Sequence, residues 1–207
     1  MTNILFVTSS PRGDASHSSK VAERVLTDLV AHSPNATVVR RDLARDPLPH
    51  INEAYLGAVF TPAEARNDEQ KAIAALSDKL IDELFAADII VIASSMINFS
   101  ISSTLKTWVD YVARAGRTFS YVDGKPVGLV TGKRLVLVES KGGVYSEGPA
   151  NQFDFQLPYL RAVFSFLGLS DIEAITVEGV AFGPEHAAKA VAAAEAKASE
   201  TARTLAA

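Results

Sequence analysis

A cluster of serines near the N-terminus has the composition of an anion-binding loop. Ser9 and Ser10 follow a short apolar run, and further serines precede a segment whose apolar residues recur at helical spacing. Hydroxyl groups and the free N–H groups at a helix N-terminus are hydrogen-bond donors that suit a phosphate. Serines in front of a helix are also ordinary N-caps, so both interpretations stay open for this loop. The candidate phosphate-binding residues are Ser10, Arg12, Ser16, His17 and Ser18.

Two later loops could contact a flat ligand. Each follows a predicted strand, at residues 88–93 and 134–139, whose central residues are apolar as in a buried strand. Asn98 offers an amide donor and acceptor beside the flat face of Phe99, and paired glycines in the second loop let the backbone approach a ligand closely. A buried Phe99 and a plain tight turn would explain the same residues. The candidate residues are Met96, Ile97, Asn98 and Phe99 in the first loop and Ser140, Lys141, Gly142 and Gly143 in the second.

The elements that position these loops alternate between strand and helix. Alternation of this kind is typical of a parallel sheet with helices on both faces. Because the carboxyl ends of parallel strands meet at one edge, the three loops are expected at the same edge, where open α/β sheets bind ligands. The strands are predicted at residues 4–7, 37–39, 88–93, 134–139 and 172–177, with a helix after each.

Two local signals add detail to this pattern. Asn67 with Gln70 three residues later predicts a capping box at the start of a long amphipathic helix. Asp123 and Gly124 lie between two apolar stretches and predict a β-hairpin over residues 118–130. The hairpin is inserted before the fourth strand of the sheet, and we expect it to project beside the edge that holds the three loops.

Composition limits the class of protein. The 207 residues are 48% hydrophobic, which suits one domain spanning residues 1–207, and the formal net charge of −4 argues against nucleic acid or an anionic membrane as the main partner. With no cysteine, disulfides, iron–sulfur clusters and thiol nucleophiles are excluded. The four histidines are scattered, and no catalytic dyad or set of metal ligands is evident. No signal peptide or membrane-spanning run is evident, so a cytoplasmic protein is expected.

Six segments in order along the chain resemble one family, the flavodoxin-like FMN-dependent NADH-azoreductases, which are also described as quinone reductases. The segments are residues 9–18, 96–99, 112–119, 128–133, 140–143 and 178–185. The resemblance implies a five-stranded sheet of order 2-1-3-4-5 and a homodimer with one FMN per subunit. It also implies NADH, or in some members NADPH, as hydride donor and a quinone or azo compound as acceptor. FMN would carry the redox chemistry, so no catalytic side chain is expected.

The resemblance also assigns roles to the three loops. The FMN phosphate would lie in the serine loop, and the isoalloxazine ring would lie between segments 96–99 and 140–143. Three positions depart from residues common in the family, since Ser95 replaces a proline, Ile97 an aromatic residue and Lys141 an arginine. In the family both subunits build the acceptor pocket, and aromatic side chains would cover a flat acceptor. The expected acceptor-binding residues are Phe60, Asn98, Phe119 and Tyr121.

A non-enzymatic flavodoxin-type electron carrier is the alternative function. Such carriers need a strongly acidic docking face and aromatic residues on both sides of the flavin. A net charge of −4 and a single tryptophan, Trp108, within a predicted helix favour the enzyme. A receiver-type phosphorylation module would need an aspartate at the end of the third strand, where this chain has Ser94 and Ser95.

Overall fold

The computed structural model describes residues 2–206. The strands are β1 (Asn3–Thr8), β2 (Thr37–Asp42), β3 (Ile89–Ser95), β4 (Phe119–Val122), β5 (Lys125–Gly128), β6 (Arg134–Ser140) and β7 (Asp171–Val177). The α-helices are α1 (His17–His32), α2 (Glu53–Phe60), α3 (Asp68–Ala86), α4 (Ser103–Val112), α5 (Leu157–Leu167) and α6 (Pro184–Ala206). None of these helices is both long and apolar enough to cross a membrane.

Five strands form one parallel sheet in the order β2-β1-β3-β6-β7. The strands β4 and β5 follow β3 in the chain and form a separate antiparallel hairpin. When only the strands of the parallel sheet are counted, the order is 2-1-3-4-5, which is the predicted flavodoxin-like order. Several strands are longer than predicted, and β3 continues to Ser95, which pairs with Ser140 of β6. Apolar periodicity marks burial, whereas polar residues at a strand end extend the hydrogen-bonded ladder without extending the apolar run.

Each face of the sheet carries its own hydrophobic core. Ile90 and Ile92 of β3 pack into one core with helices α3, α4 and α5, while Ile89 and Val91 pack into the other with α1 and α6. Side chains alternate between the faces of a strand, so a strand buried on both faces is apolar throughout. The two cores fix the central strands rigidly and place their carboxyl ends side by side.

The local signals in the sequence are confirmed. Asn67 and Gln70 form both hydrogen bonds of the predicted capping box at the start of α3. Asp123 and Gly124 have φ angles of 50° and 75°, as a type I′ hairpin turn requires. Helix α4 ends at Val112, whose carbonyl oxygen accepts a hydrogen bond from the Thr118 hydroxyl at 2.6 Å.

The hairpin is anchored at the opposite end of the sheet from the three loops, so its stem does not project beside them as expected. Gly128 lies against the backbone of Gly168, where a Cβ atom on either glycine would clash. Gly168 ends α5, which begins near the carboxyl end of β3 and runs back to the start of β7. Close glycine contact, which apolar patterns do not reveal, fixes this position.

Candidate active site

Five serine hydroxyls from four elements meet at the carboxyl edge of the sheet. Ser95 Oγ at the end of β3 lies 3.0 Å from Ser10 Oγ after β1, 3.1 Å from Ser140 Oγ of β6 and 3.2 Å from Ser18 Oγ of α1. Ser18 Oγ in turn lies 3.1 Å from Ser16 Oγ. The parallel sheet brings these residues together although Ser10 and Ser140, the outermost two, are 130 positions apart along the chain. Ser95, the centre of the cluster, was noted in the sequence only as a departure from the family pattern.

The ordinary capping role explains one serine of the loop. Ser16 is the N-cap of α1, and its hydroxyl accepts a hydrogen bond from Ser19 N at 3.2 Å. Ser9 ties the loop to β3 by donating to Ala93 O at 3.0 Å. Ser10 and Ser18 are buried without being caps, and their hydroxyls point into the cluster. Capping therefore does not account for the whole serine loop.

Arg12 adds positive charge beside the serines, and His17 begins the helix that follows. With Lys20 they line a cleft of about 630 Å³ between α1 and the start of α6. Burial lowers the pKa of His17, and the charges of Arg12 and Lys20 lower it further. The lowered pKa keeps the His17 ring neutral near pH 7, so Arg12 and Lys20 are the cations that an anion would meet here.

Asn98 and Phe99 occupy a strained turn after β3. Their φ angles are 47° and 71°, and paired hydrogen bonds between Ile97 and Ser100 close the turn at 2.8 and 3.0 Å. This is a type I′ turn, in which glycine is favoured, and a left-handed phenylalanine costs about 1–2 kcal/mol. Phe99 is 47% exposed as a residue, so burial in the hydrophobic core does not explain its presence. Strain kept at an exposed aromatic residue is typical of a functional site.

The second loop lies directly beside this turn. Met96 N donates a hydrogen bond to Ser140 O at 2.8 Å, which joins the ends of β3 and β6. The backbone of Gly142 and Gly143 pairs with residues 179–181, and neither glycine has a left-handed φ angle. A Cβ atom on Gly142 would meet only Ala181 Cβ, at an ordinary contact distance of 3.6 Å. The fold does not require glycine at 142, and the space in front of it is open to a flat ligand.

Lys141 has a structural contact that sequence reasoning missed. Its side chain is only 2% exposed, and its Nζ lies 3.1 Å from Glu139 Oε2 and 2.6 Å from Asp154 Oδ2. Burial raises the pKa of Glu139 more than the Lys141 charge lowers it. Burial also opposes the charge of Lys141, but the charge of Glu139 and the hydrogen bonds to Asp154 and Glu139 outweigh burial and raise the Lys141 pKa. The ammonium group therefore braces the loop, and the backbone is what Lys141 presents at the site.

Asp154 links this brace to α5, because its other carboxylate oxygen accepts a hydrogen bond from Gln156 N at 3.0 Å. The segment before α5 also carries aromatic rings that the sequence analysis did not assign. Phe153 packs against Phe99 with ring centroids 5.6 Å apart, and Tyr145 meets Phe99 edge-on at 6.4 Å. A loop without apolar periodicity gives no sequence signal for these contacts.

The structure separates the expected acceptor-binding residues. Asn98 lies in the strained turn, whereas Phe119 packs on Phe166 of α5 at 4.6 Å and meets Tyr121 edge-on at 6.0 Å. Phe119 and Tyr121 thus share one face of the hairpin, as the alternation of a strand requires. Tyr121 is 64% exposed and Phe60, at the end of α2, is 74% exposed. Among residues 2–206, the ring contacts of Phe119 and Tyr121 involve no aromatic residue of the three loops.

Comparison with known proteins places this site in a family. Residues 2–202 match the family model described as a flavodoxin-like fold. The chain is 52% identical over 203 residues to the FMN-dependent NADH:quinone oxidoreductase of Agrobacterium fabrum, covering 98% of this chain and 99% of the relative. It is 54% identical over 192 residues to the protein of the same name from Herminiimonas arsenicoxydans, with 93% and 94% covered.

The chain belongs to the flavodoxin-like family of FMN-dependent NADH:quinone oxidoreductases. Solved structures with the same fold include an azoreductase from Bacillus anthracis, with a TM-score of 0.91, 31% identity and coverage of 99% of this chain and 100% of that chain. Another is an FMN-dependent NADH-azoreductase from the same species in complex with FMN, with a TM-score of 0.91, 26% identity and full coverage of both chains. The family and fold inferred from the motifs are confirmed.

The residues of this family member fit an FMN group. The hydroxyl cluster and the cations at the start of α1 suit a phosphate, which only accepts hydrogen bonds. The open space at Gly142 and the exposed Phe99 ring suit a flat heterocycle. The two regions adjoin through Ser95 and Ser140, so one ligand with a phosphate at one end and a ring at the other can reach both.

Proposed function

We propose that this protein is an FMN-dependent NADH:quinone oxidoreductase that also cleaves aromatic azo compounds reductively. One observation carries the proposal. An open, glycine-lined space beside a strained aromatic turn adjoins a buried hydroxyl cluster, at the carboxyl edge of a flavodoxin-like sheet. The names of the relatives support the quinone activity, and those of the structural neighbours support the azo activity. We also expect the protein in the cytoplasm.

The residues of the chain bind and orient the cofactor. The phosphate would be held by five residues of the serine loop. The ring would lie between the Phe99 turn, at residues 96–99, and the glycine loop, at residues 140–143. The two-electron redox chemistry between donor and acceptor would be supplied by FMN when it is bound at these residues. The backbone of Gly142 and Gly143 would block one face of the ring, so that substrates could approach only the other face. Phe99 would supply an apolar wall beside the ring. The residues of the serine loop are Ser10, Arg12, Ser16, His17 and Ser18.

A shared face implies that donor and acceptor bind in turn. The hydride donor, which is NADH or alternatively NADPH, needs to lie flat against the ring, and so does a quinone. With the glycine loop on one side, one open face is left for both, so the first product leaves before the second substrate binds. This ordering gives ping-pong kinetics, with parallel lines in double-reciprocal plots at several quinone concentrations.

A homodimer would complete the acceptor pocket. Phe60 and Tyr121 are large aromatic residues with most of their surface exposed, which is typical of an interface core. The hairpin stem lies at the far end of the sheet from the loops of its own chain, so its Tyr121 is better placed to serve a second subunit. We therefore propose that Phe60, Phe119 and Tyr121 line the pocket with Asn98, across the dimer interface.

Two measurements test the proposal. Purified protein is expected to be yellow, to hold one FMN per subunit, and to oxidise NADH with a quinone or an azo dye. Intersecting double-reciprocal lines would contradict alternate binding. A protein that takes up FMN but oxidises NADH only through a separate reductase would instead be an electron carrier, and a protein that takes up no FMN would refute both functions.

The aromatic pocket has a matched control within the hairpin. Tyr121→Ala is expected to raise the KM for quinone or lower kcat while FMN content is unchanged. Val122 is also exposed but points to the opposite face of β4, so Val122→Ala is expected to retain wild-type kinetics. Wild-type kinetics for Tyr121→Ala, or a fully active monomer in sedimentation, would rule out the shared pocket.

A further inference from the structure

The hydrogen bonds of the serine cluster have one possible direction. A serine hydroxyl has a single proton, and that of Ser95 is donated to Ser10 at 3.0 Å while Ser140 donates to Ser95 at 3.1 Å. The contact between Ser18 and Ser95 then needs the Ser18 proton, because the Ser95 proton is already used. By the same count Ser16 donates to Ser18. Every proton of the cluster is therefore directed towards Ser10.

Ser10 ends this chain of hydroxyls. Its oxygen accepts from Ser95 and, at 3.4 Å, from the backbone N–H of Arg12, which uses both acceptor positions of a hydroxyl. Within residues 2–206 the structure records no acceptor for the proton of Ser10 itself. Ser10 can therefore only donate to a further ligand. A phosphate oxygen, which only accepts, satisfies this proton, whereas a metal cation would find no free lone pair.

We propose that Ser95 is a positioning residue for the cofactor phosphate and acts through Ser10. This inference rests on the proposed placement of the FMN phosphate in the serine loop. By occupying a lone pair of Ser10, Ser95 keeps the Ser10 proton directed at the phosphate site. Hydrogen bonds in a buried chain also polarise one another, so the donors behind Ser95 strengthen the final donor. Without Ser95, the Ser10 hydroxyl is free to rotate and to donate elsewhere.

Paired titrations of the apoprotein with FMN and with riboflavin test this role. Riboflavin has the same ring but no phosphate. Ser95→Ala is expected to weaken FMN binding by about 3- to 10-fold, a typical effect of losing one hydrogen bond that orients a donor, and to leave riboflavin affinity unchanged. Ser95→Thr keeps the hydroxyl and is expected to restore FMN affinity. If Ser95→Ala does not fold, Ser95→Cys, with a weak S–H donor, is expected to show a smaller loss in the same direction.

A double-mutant cycle tests whether Ser95 acts through Ser10. If it does, the variant carrying both Ser10→Ala and Ser95→Ala binds FMN no more weakly than Ser10→Ala alone. Ser9→Ala is the matched control, because Ser9 is buried and loses a hydrogen bond to Ala93 O that lies outside the cluster. Its ratio of FMN to riboflavin affinity is expected to equal that of the wild type.

The outcomes separate the inference from the proposed function. Equal losses for FMN and riboflavin in Ser95→Ala, or additive losses in the cycle, would mean that Ser95 is only structural and would overturn the inference. Wild-type FMN affinity in Ser95→Ala would overturn it as well, while the proposed function stands. A wild-type protein that binds neither flavin would refute the proposed function and the inference with it.

Discussion

Substitution of Gly142 separates the needs of the fold from those of the cofactor. The added Cβ of Gly142→Ala meets only Ala181 Cβ at 3.6 Å, and the φ angle of residue 142 is not left-handed. A glycine-to-alanine change at such a position stabilises a protein by about 0.4–1 kcal/mol, because the unfolded chain loses freedom. For a chain of this length that raises the Tm of the apoprotein by roughly 1–4 °C.

The same methyl group is expected to weaken FMN binding. If the ring packs against the loop, one extra methyl in a filled space costs about 1–3 kcal/mol, or roughly 5- to 150-fold in Kd. Gly142→Val adds more bulk and is expected to abolish binding. Apoprotein melting curves and FMN titrations on the same samples therefore give opposite signs for stability and affinity.

Gly128→Ala is the control for this experiment. Its Cβ would lie 2.2 Å from Gly168 N, so it is expected to lower the stability of the apoprotein, and FMN binding would suffer only through that loss. Wild-type FMN affinity in a folded Gly142→Ala variant would refute the placement of the ring against this loop. A marked loss of apoprotein stability in Gly142→Ala would refute the account of the loop itself.

Two further predictions concern the same edge of the sheet. Phe99→Gly and Phe99→Ala both lose the ring contacts with Phe153 and Tyr145, but only glycine relieves about 1–2 kcal/mol of left-handed strain. Phe99→Gly is therefore expected to be the more stable apoprotein of the two in denaturant titrations, while kcat/KM for quinone falls in both; a less stable glycine variant would contradict the strain. Lys141→Met leaves the buried Glu139 unpaired and is expected to cost about 3–5 kcal/mol. Because burial raises the pKa of Glu139 in the folded state and loss of the Lys141 charge raises it further, this cost is present at pH values above the raised pKa and is lost as the pH falls through it, before the ordinary value of 4.5 is reached. A pH-independent difference between Lys141→Met and wild type would contradict the role of Glu139.

The sequence by itself determined the fold and the edge where the site lies. Apolar runs alternating with helical periodicity define a doubly wound sheet, since each strand buried on both faces must lie between two layers of helices. The ends of those strands then share one edge, so the serine loop, the Phe99 turn and the glycine loop could be grouped before the structure was known. The capping box at Asn67 and the turn at Asp123 were equally visible, because both depend on neighbours in the chain.

Only the tertiary structure decided which groups act together at that edge. Ser95 is central to the hydroxyl cluster because β3 lies between β1 and β6. The three serines that its hydroxyl contacts are 45 to 85 positions away along the chain. The Lys141 side chain turns inward because Glu139 and Asp154 offer it a buried partner on each side. The hairpin stem lies at the far end because Gly128 and Gly168 allow two backbones to touch. Contacts of this kind depend on distances across the fold, which spacing along the chain does not encode.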